Sequence, residues 1–151
     1  MLALHEQLAH PRAQSALEVQ PIGWTPRPAR SSAPFHAGAS APLRALAGEA
    51  LAARFRSWRG ASGRRYIFSI FDRQSCPAYE HVVAMIVTRD PDGERRIMFI
   101  GDTGCFPELA LARAAKEIPV AGEIEFHLHM LATSRAERNA MIADLAQAGR
   151  S

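Results

Sequence analysis

Arg96-Ile97-Met98-Phe99-Ile100-Gly101-Asp102-Thr103-Gly104 is a short apolar run that stops at a glycine-flanked turn. Upstream of it lies Asp90-Pro91-Asp92-Gly93, which is typical of a hairpin because proline and glycine supply the backbone angles that tight turns require. Another apolar run precedes that turn. We therefore predict two paired strands, one from Val82 to Thr88 and one from Ile97 to Ile100.

Upstream of the hairpin, the sequence predicts a helix and a further strand. Pro42 suits the first turn of a helix, where its missing N–H would be unpaired in any case. Apolar residues from Leu43 to Trp58 then recur at three- and four-residue steps, which is the spacing of one helical face. Gly60 suits the left-handed position that ends a helix. The aromatic and β-branched run from Tyr66 to Phe71 predicts a strand.

Downstream of the hairpin, the sequence predicts a helix, a strand and a final helix. The first helix is expected from Pro107 to Glu117. Polar and apolar residues alternate strictly from Glu123 to Met130, which predicts a strand with one face in water. Ser134 and Glu137 form a capping-box signature for a last helix, which is expected to run to about Ala148.

Together these elements predict an α+β fold, in which a small, mostly antiparallel sheet of about four strands is flanked by helices. The residues of the last two helices expected to contact the core are Leu109, Leu111, Ala112, Met141, Ile142 and Leu145. This domain is expected to span residues 42–151. Residues 1–41 are rich in proline and alanine and are predicted to be a disordered tail, since proline prevents long helices and inner strands.

Composition and charge restrict the classes of function. The chain of 151 residues has no apolar run near the roughly 20 residues of a membrane helix. Its start lacks a signal-peptide pattern, so we predict a cytoplasmic protein with no membrane partner. Residues 1–75 carry a net charge of +6, whereas residues 76–151 carry −3. The basic half could contact a polyanion, or it could lie against the acidic half or an acidic partner.

The chain has two cysteines, Cys76 and Cys105. Two thiols make a weak case for a disulfide framework. Because unpaired cysteines are usually buried, we expect both to be packing residues.

Five short segments follow one another in an order and spacing that is similar to a known superfamily. They read Tyr66-Ile67-Phe68-Ser69, Val83-Ala84-Met85-Ile86-Val87-Thr88-Arg89, Phe99-Ile100-Gly101-Asp102-Thr103-Gly104, Phe126-His127-Leu128-His129 and Ile142-Ala143-Asp144-Leu145. With these segments, the stretch from Tyr66 to Leu145 resembles the small bacterial branch of the GIY-YIG superfamily.

The resemblance implies descent from nucleases together with loss of the catalytic set. Active members of the superfamily use two tyrosines, an arginine and a metal-holding glutamate; the metal and the arginine offset charge on the phosphate under attack. The matching positions in this chain are Met85, Phe99, Leu109 and Ala143. These side chains cannot accept a proton, clamp a phosphate or ligate a metal. The resemblance therefore implies a catalytically degenerate domain without a cofactor.

A divergent nuclease is the alternative reading of the same resemblance. Arg113 lies one helical turn beyond Leu109, and Glu137 precedes Ala143 on the last helix. These two residues would be the substitutes in an enzyme that retained cleavage with Mg²⁺ or Mn²⁺.

A cluster of arginines is the best candidate in the sequence for binding DNA or RNA. Its members are Arg54, Arg56, Arg59, Arg64 and Arg65, with Phe55, Trp58 and Tyr66 interleaved. Guanidinium groups pair with phosphates, and aromatic rings stack on bases. The alternative is a solvated basic face, with Phe55 and Trp58 buried in the core.

Two further patterns point to weaker hypotheses. His127 and His129 share one strand face with Glu123 and Glu125, and this set could hold zinc. An exposed strand face explains the same alternation, and His81 and Cys105 are too distant in sequence to be added. Asp102-Thr103-Gly104 is similar to the motif of aspartic proteases, but those enzymes need two such aspartates and the chain has one.

The sequence thus predicts a binding module for nucleic acid or for a protein partner. A divergent metal-dependent nuclease is one alternative. A structural subunit that docks on a larger complex is the other.

Overall fold

The computed structural model describes residues 40–46, 50–119 and 122–149. Within these residues the chain forms, in order, β1 (Ala41–Pro42), two 3-10 helices (Arg44–Leu46 and Ala50–Arg54), β2 (Phe55–Arg59), β3 (Arg65–Phe71), β4 (Val83–Arg89), β5 (Arg95–Asp102), α1 (Pro107–Lys116), β6 (Glu123–His129) and α2 (Arg135–Ala148). The predicted tail lies outside the described residues except for its last two, and Ala41 belongs to β1.

The strands form a single antiparallel sheet in the order β1-β2-β3-β6-β4-β5. The prediction of an α+β fold with an antiparallel sheet is confirmed, and the described sheet has six strands rather than about four. The added strands are β1 and β2, which pair on the outer side of β3. Strand β6 lies between β3 and β4, so a late segment of the chain joins two early ones.

The predicted helix from Pro42 to Trp58 is wrong. The described part of this segment forms two 3-10 helices and then a strand, in which Phe55 to Arg59 pair with β3 along their whole length. Aromatic residues favour strands when a partner strand is present, and pairing with β3 buries Trp58 completely. Tertiary pairing thus outweighs the helical spacing of the apolar residues.

Gly60 follows this strand instead of ending a helix, and it does not have a left-handed backbone. It is glycine for another reason: a Cβ atom at this position would collide with the carboxylate of Asp144 on α2. The close approach of the β2–β3 turn to α2 therefore favours a residue without a side chain, since a Cβ atom would have to displace this carboxylate.

The β4–β5 hairpin forms as predicted, with a longer second strand. Its register runs from Val83 opposite Asp102 to Arg89 opposite Arg95, and a bulge shifts the register between Ile86 and Val87. Gly93 has φ 85°, which is the left-handed geometry that favours glycine in a tight turn.

The core has two layers, one on each face of the sheet. On the face that we call the α2 face, Met85 packs with Met141 and Leu145 of α2. On the opposite face, the α1 face, Ile86 packs with Ala114 of α1. Adjacent residues of a strand point to opposite faces, so each strand of the centre contributes to both layers.

The helix contacts follow the prediction for α2, whereas on α1 one of the three predicted residues, Leu111, packs against the core. Met141 and Leu145 are buried and Ile142 packs beside them, as expected. On α1, however, Leu109 is 53% exposed and Ala112 is exposed. The buried positions of α1 are instead Pro107, Ala110 and Ala114, because a shift of one residue turns the helix by about 100°.

The capping box of α2 is confirmed. The Ser134 hydroxyl accepts a hydrogen bond from the Glu137 amide at 3.1 Å, and the Glu137 carboxylate accepts one from the Ser134 amide at 3.1 Å. The helix reaches Ala148 and has Gly149 as its C-cap.

Neither described helix has the length and apolar character needed to cross a membrane.

Candidate functional site

The four positions that the resemblance assigns to one catalytic pocket lie on both faces of the sheet. Met85 is fully buried in the layer between the sheet and α2. Phe99 packs in the layer beneath α1. Leu109 of α1 and Ala143 of α2 are exposed on the two opposite helices. These positions therefore do not form a single pocket.

The two substitute residues are also apart, since Arg113 belongs to α1 and Glu137 to α2. The Glu137 carboxylate accepts hydrogen bonds from the amides of Ser134 and Thr133 at 3.1 and 3.0 Å, and these bonds lower the pKa of Glu137. Glu137 is thus occupied as a helix cap. The described geometry places Arg113 and this carboxylate on helices that pack against opposite faces of the sheet, so the two do not meet at one phosphate.

The polar face of β6 is buried rather than in water, so this prediction is wrong. Glu125, His127 and His129 do share one face, but each is less than a tenth exposed. That face belongs to the layer under α2 and between β3 and β4, which neighbour β6 on either side. The row of side chains is therefore part of the core.

A chain of hydrogen bonds satisfies these buried groups. Trp58 Nε1 donates to His127 Nδ1 at 3.0 Å, which leaves the proton of the imidazole on Nε2. His127 Nε2 then donates to Glu125 Oε2 at 3.0 Å. Arg95 donates to both oxygens of Glu125, at 2.7 and 2.8 Å. The network consists of Trp58, His127, Glu125 and Arg95.

The pKa values in this network follow from burial and from the hydrogen bonds. Burial lowers the pKa of His127, and Glu125 only partly offsets this effect. Burial opposes ionisation of Glu125, but the hydrogen bonds from His127 and Arg95 outweigh it and lower the Glu125 pKa to about 2. The histidine is neutral and both of its nitrogens are engaged, so it has no lone pair to offer a metal or a substrate.

The contacts of the other two residues of the proposed zinc set, His129 and Glu123, also argue against the zinc hypothesis. His129 Nδ1 hydrogen-bonds to the Ile67 carbonyl at 2.7 Å, and Glu123 is exposed and paired with Arg89. In the described part of the chain, the acidic and histidine groups close enough together to share an ion are Asp90, Asp92 and Glu94 in the hairpin turn. Two of these three carboxylates already pair with Arg96.

Asp102 has a structural role in place of a catalytic one. Its carboxylate accepts from Arg138 Nε of α2 at 2.6 Å and from the Gly104 amide at 2.9 Å. Thr103 hydrogen-bonds to Tyr79 and Val82 of the preceding loop. The Gly-Asp-Thr-Gly turn therefore joins the β3–β4 loop, β5 and α2.

The turn also brings together two residues, His81 and Cys105, that were not predicted to lie close to each other. Cys105 Sγ lies 3.7 Å from His81 Nε2, and both residues are exposed. The expectation that both cysteines are packing residues is wrong for Cys105, whereas Cys76 is half-buried and packs against the clusters under α1. The Cys105–His81 pair is recognisable only after β4 and β5 are paired.

The predicted arginine cluster is divided by the sheet. Arg56 shares the α2 face with Trp58 and donates to Ser40 Oγ at 3.1 Å, and Arg64 stacks 5.5 Å above the Tyr66 ring. Arg59 and Arg65 are direct cross-strand partners, and both point to the α1 face. The remaining arginine, Arg54, ends the second 3-10 helix and is exposed.

The interleaved aromatic residues are largely unavailable for stacking. Trp58 is fully buried and Tyr66 is 8% exposed, as the alternative interpretation expected for Trp58. Phe55 is half-buried and lies on the α1 face with Arg59.

A cleft of about 320 Å³ lies beside the Arg59–Arg65 pair. Ser57 and Ile67 are cross-strand partners within it, and its rim carries Arg65 and Arg44. Ile67 is 42% exposed, since the clusters beneath α1 include Phe71 at the end of β3 but not Ile67. The residues of this surface, which we call the basic sheet face, are Arg44, Phe55, Ser57, Arg59, Arg65 and Ile67.

The positive charges of the basic sheet face are not neutralised within the described chain. The described ion pairs use Arg89, Arg95, Arg96 and Arg138, and none involves an arginine of this face. The one described hydrogen bond of these guanidinium groups runs from Arg59 Nε to the Gly63 carbonyl at 3.3 Å. A neighbouring anion would therefore meet cationic groups that pair with no carboxylate in the described ranges.

No protein-family model matches the chain, and no curated protein or solved structure matches it with statistical significance. The resemblance to the GIY-YIG superfamily stays a prediction.

Three residues of the basic sheet face, Arg44, Ser57 and Ile67, were not predicted, because they lie outside the arginine cluster or carry no charge. Arg44 is ten residues before Arg54 in the chain, and Ile67 belongs to the run from Tyr66 to Phe71, which predicts a strand but not which of its faces is exposed. The available signal was the aromatic content of the segment Phe55-Arg56-Ser57-Trp58-Arg59, which is compatible with a strand. Interpreted as a strand, it places Arg59 and Trp58 on opposite faces.

Proposed function

We propose that this domain binds single-stranded nucleic acid on the basic sheet face. The observation that carries the proposal is the cross-strand pair Arg59 and Arg65 beside an apolar cleft, two exposed arginines that have no carboxylate partner among the described residues. Guanidinium groups bind phosphate oxygens through paired N–H donors. The nearby apolar surface of Ile67 and Phe55 suits the faces of unpaired bases.

A single strand fits this surface better than a duplex does. A duplex presents phosphates on its outside and keeps the base faces stacked, so it would leave the apolar part of the surface unused. Single strands are bound by grooves that combine backbone-tracking charge with apolar or aromatic contacts to bases. An exposed isoleucine between a half-buried phenylalanine and two arginines offers both kinds of contact.

The same surface does not favour nuclease chemistry. Positions 55, 57, 59, 65, 67 and 69 point to this face from β2 and β3, and their residues are Phe, Ser, Arg, Arg, Ile and Ser. None of them is a carboxylate that could hold Mg²⁺ or Mn²⁺ beside a phosphate. The proposal is therefore a binding role without cleavage.

The relationship to the GIY-YIG superfamily remains part of the proposal and is supported by the order of the five segments. The binding role does not depend on it, because Arg59 and Arg65, which carry that role, lie before the first of those segments. A cytoplasmic location is likewise proposed.

Fluorescence anisotropy tests the binding role. A labelled oligothymidine and a labelled oligouridine are titrated with the full chain at several salt concentrations, beside a duplex of the same length. We expect the single strands to bind more tightly than the duplex. The Arg59→Gln/Arg65→Gln variant should weaken single-strand binding by on the order of tenfold or more, and should reduce the salt slope by about 1.4 because two phosphate contacts are lost.

The matched control is Arg135→Gln, which removes one exposed positive charge on α2, on the other side of the sheet. It should leave the salt slope close to that of the parent. Equal losses in both variants would mean that net charge alone attracts the nucleic acid. Absence of binding by the parent at low salt would refute the nucleic-acid role and would leave an acidic protein partner as the next candidate.

A further inference from the structure

Cys105 and His81 form a thiol–imidazole pair at the surface, away from the basic sheet face. The sulfur lies 3.7 Å from His81 Nε2, and both side chains are exposed to solvent. A thiol becomes a nucleophile when it loses its proton, and a neighbouring imidazole is a common acceptor for that proton. The arrangement has the two groups that a nucleophilic thiol requires, together with access for a small reagent.

The backbone holds the pair in place. His81 N donates to the Gly104 carbonyl at 3.0 Å, and Thr103 N donates to the Val82 carbonyl at 2.9 Å. His81 has φ 54°, a left-handed conformation that is uncommon for residues other than glycine. The loop before β4 is thus fixed against the turn after β5, and the imidazole is held beside the sulfur.

The second thiol of the chain has a different environment and serves as an internal reference. Cys76 is half-buried, and burial together with the nearby charge of Asp72 raises its pKa to about 11. Near neutral pH almost all of Cys76 is therefore protonated. Any rapid thiol chemistry of the native protein is expected at Cys105.

The surroundings of the pair favour attack on sulfur over attack on a carbonyl. Acyl transfer needs hydrogen-bond donors aimed at the developing oxyanion. The hydroxyl of Thr103, two residues before Cys105, is already engaged with the Tyr79 carbonyl and the Val82 amide. Thiol–disulfide exchange needs only a thiolate, access and a leaving group that carries its own charge.

We propose that Cys105 and His81 form a site of thiol–disulfide exchange with low-molecular-weight disulfides. In the exchange, His81 accepts the Cys105 proton and the sulfur attacks one sulfur of the disulfide. A Cys105–sulfur bond forms, the sulfur–sulfur bond of the reagent breaks, and the departing thiolate takes the proton from His81. The products are a mixed disulfide on Cys105 and one free thiol, with no net oxidation or reduction.

The test follows the reaction of the full chain with dithiodipyridine, an uncharged disulfide whose released thiopyridone absorbs light. The Cys76→Ser protein should keep the fast phase and form one adduct by mass spectrometry. The Cys105→Ser protein should keep only a slow phase from Cys76. His81→Asn, made in the Cys76→Ser protein, should slow the fast phase at pH 7 by on the order of tenfold, because the base that accepts the thiol proton is removed. A decrease of less than about threefold would overturn the proposal.

Asparagine tolerates the left-handed backbone of residue 81, so His81→Asn removes the imidazole with little strain. Thermal unfolding by circular dichroism checks that this variant folds. The glycine variant His81→Gly gives an independent measurement, since glycine also tolerates this backbone. Added imidazole should restore its rate in a concentration-dependent manner, and lack of rescue would contradict a role for the base.

Discussion

Glu125 is a carboxylate in the interior of the protein that keeps its charge. Three N–H groups, two from Arg95 and one from His127, point at its two oxygens. A buried carboxylate without such donors would be protonated or would destabilise the fold. Here the donors lower the Glu125 pKa to about 2 against the effect of burial. The sequence shows a glutamate in a strand with alternating polar and apolar residues. Its ionisation inside the fold depends on Arg95, which belongs to β5.

Glu125→Gln should destabilise the protein strongly. The side chain of Arg95 is 11% exposed, and its charge would lose its counterion in a place that water reaches poorly. Breaking a buried pair from one side typically costs about 3 kcal/mol or more in free energy of unfolding. Urea unfolding at neutral pH measures this cost.

Glu123→Gln is the matched control on the same strand. The side chain of Glu123 is 67% exposed and lies 3.4 Å from Arg89, so the exchange should cost less than about 1 kcal/mol. Similar losses in both variants would show that the Glu125–Arg95 pair is no more important than a surface ion pair.

The junction of the β2–β3 turn with α2 is the element on which the placement of the arginines depends. Asp144 of α2 accepts hydrogen bonds from the Ser62 amide and hydroxyl, both at 2.7 Å, and from the Tyr66 hydroxyl at 2.8 Å. The Ala61 amide also donates to the Asp144 carbonyl at 3.1 Å. These bonds join the turn to the helix. The turn also sets the register of β2 and β3, in which Arg59 lies opposite Arg65.

Gly60→Ala should weaken this junction. The new methyl group would displace the Asp144 carboxylate from its three donors, and we expect a loss of about 1–2 kcal/mol in the free energy of unfolding. Thermal or urea unfolding of Gly60→Ala, of Asp144→Ala and of the variant with both changes measures the coupling energy between the two positions. The cost of Gly60→Ala should fall by at least half when Asp144 is already alanine. An unchanged cost would place the strain elsewhere in the turn.

At the scale of the whole molecule, the two core layers meet at strands that carry buried ionisable groups, so folding and protonation are linked. The pKa of His127 in the fold is lowered by burial, whereas an unfolded histidine titrates near pH 6.5. Between these two values the unfolded chain binds more protons than the folded one. The contribution of His127 to stability is therefore complete above about pH 6.5 and declines as the pH falls below it.

The free energy of unfolding should accordingly decrease from about pH 7 to pH 5, with a slope of at most about 1.4 kcal/mol per pH unit from this residue. Glu125 adds its own decrease only below about pH 4.5, as the pH falls toward its folded pKa of about 2. Urea unfolding at a series of pH values measures both decreases in the free energy of unfolding. His127→Gln should reduce the slope between pH 7 and pH 5, and an equal slope in the variant would assign it to other histidines.

Local signals in the sequence were sufficient to predict several elements of the fold. The hairpin turn at Asp90 to Gly93, helix α1 and the capping box of α2 each depend on residues within a few positions of one another. Their backbone angles and first hydrogen bonds are decided by neighbours in the chain. The α+β class followed from the order of these elements.

Other features were decided by contacts between segments that are distant in the chain. Pairing with β3 turned residues 55–59 into a strand, although their spacing favoured a helix. The insertion of β6 between β3 and β4 buried His127 and Glu125, although alternation alone is equally compatible with an exposed face. Closure of β4 on β5 brought Cys105 to His81.

The sequence by itself thus determined the hairpin turn, the limits of α1 and α2 and the class of fold, because these depend on short-range backbone preferences. Only the tertiary structure decided which face of each strand is buried, which arginines share a surface and which polar groups meet. Burial and pairing are properties of two partners, and the identity of the partner is not encoded in the spacing of either segment alone.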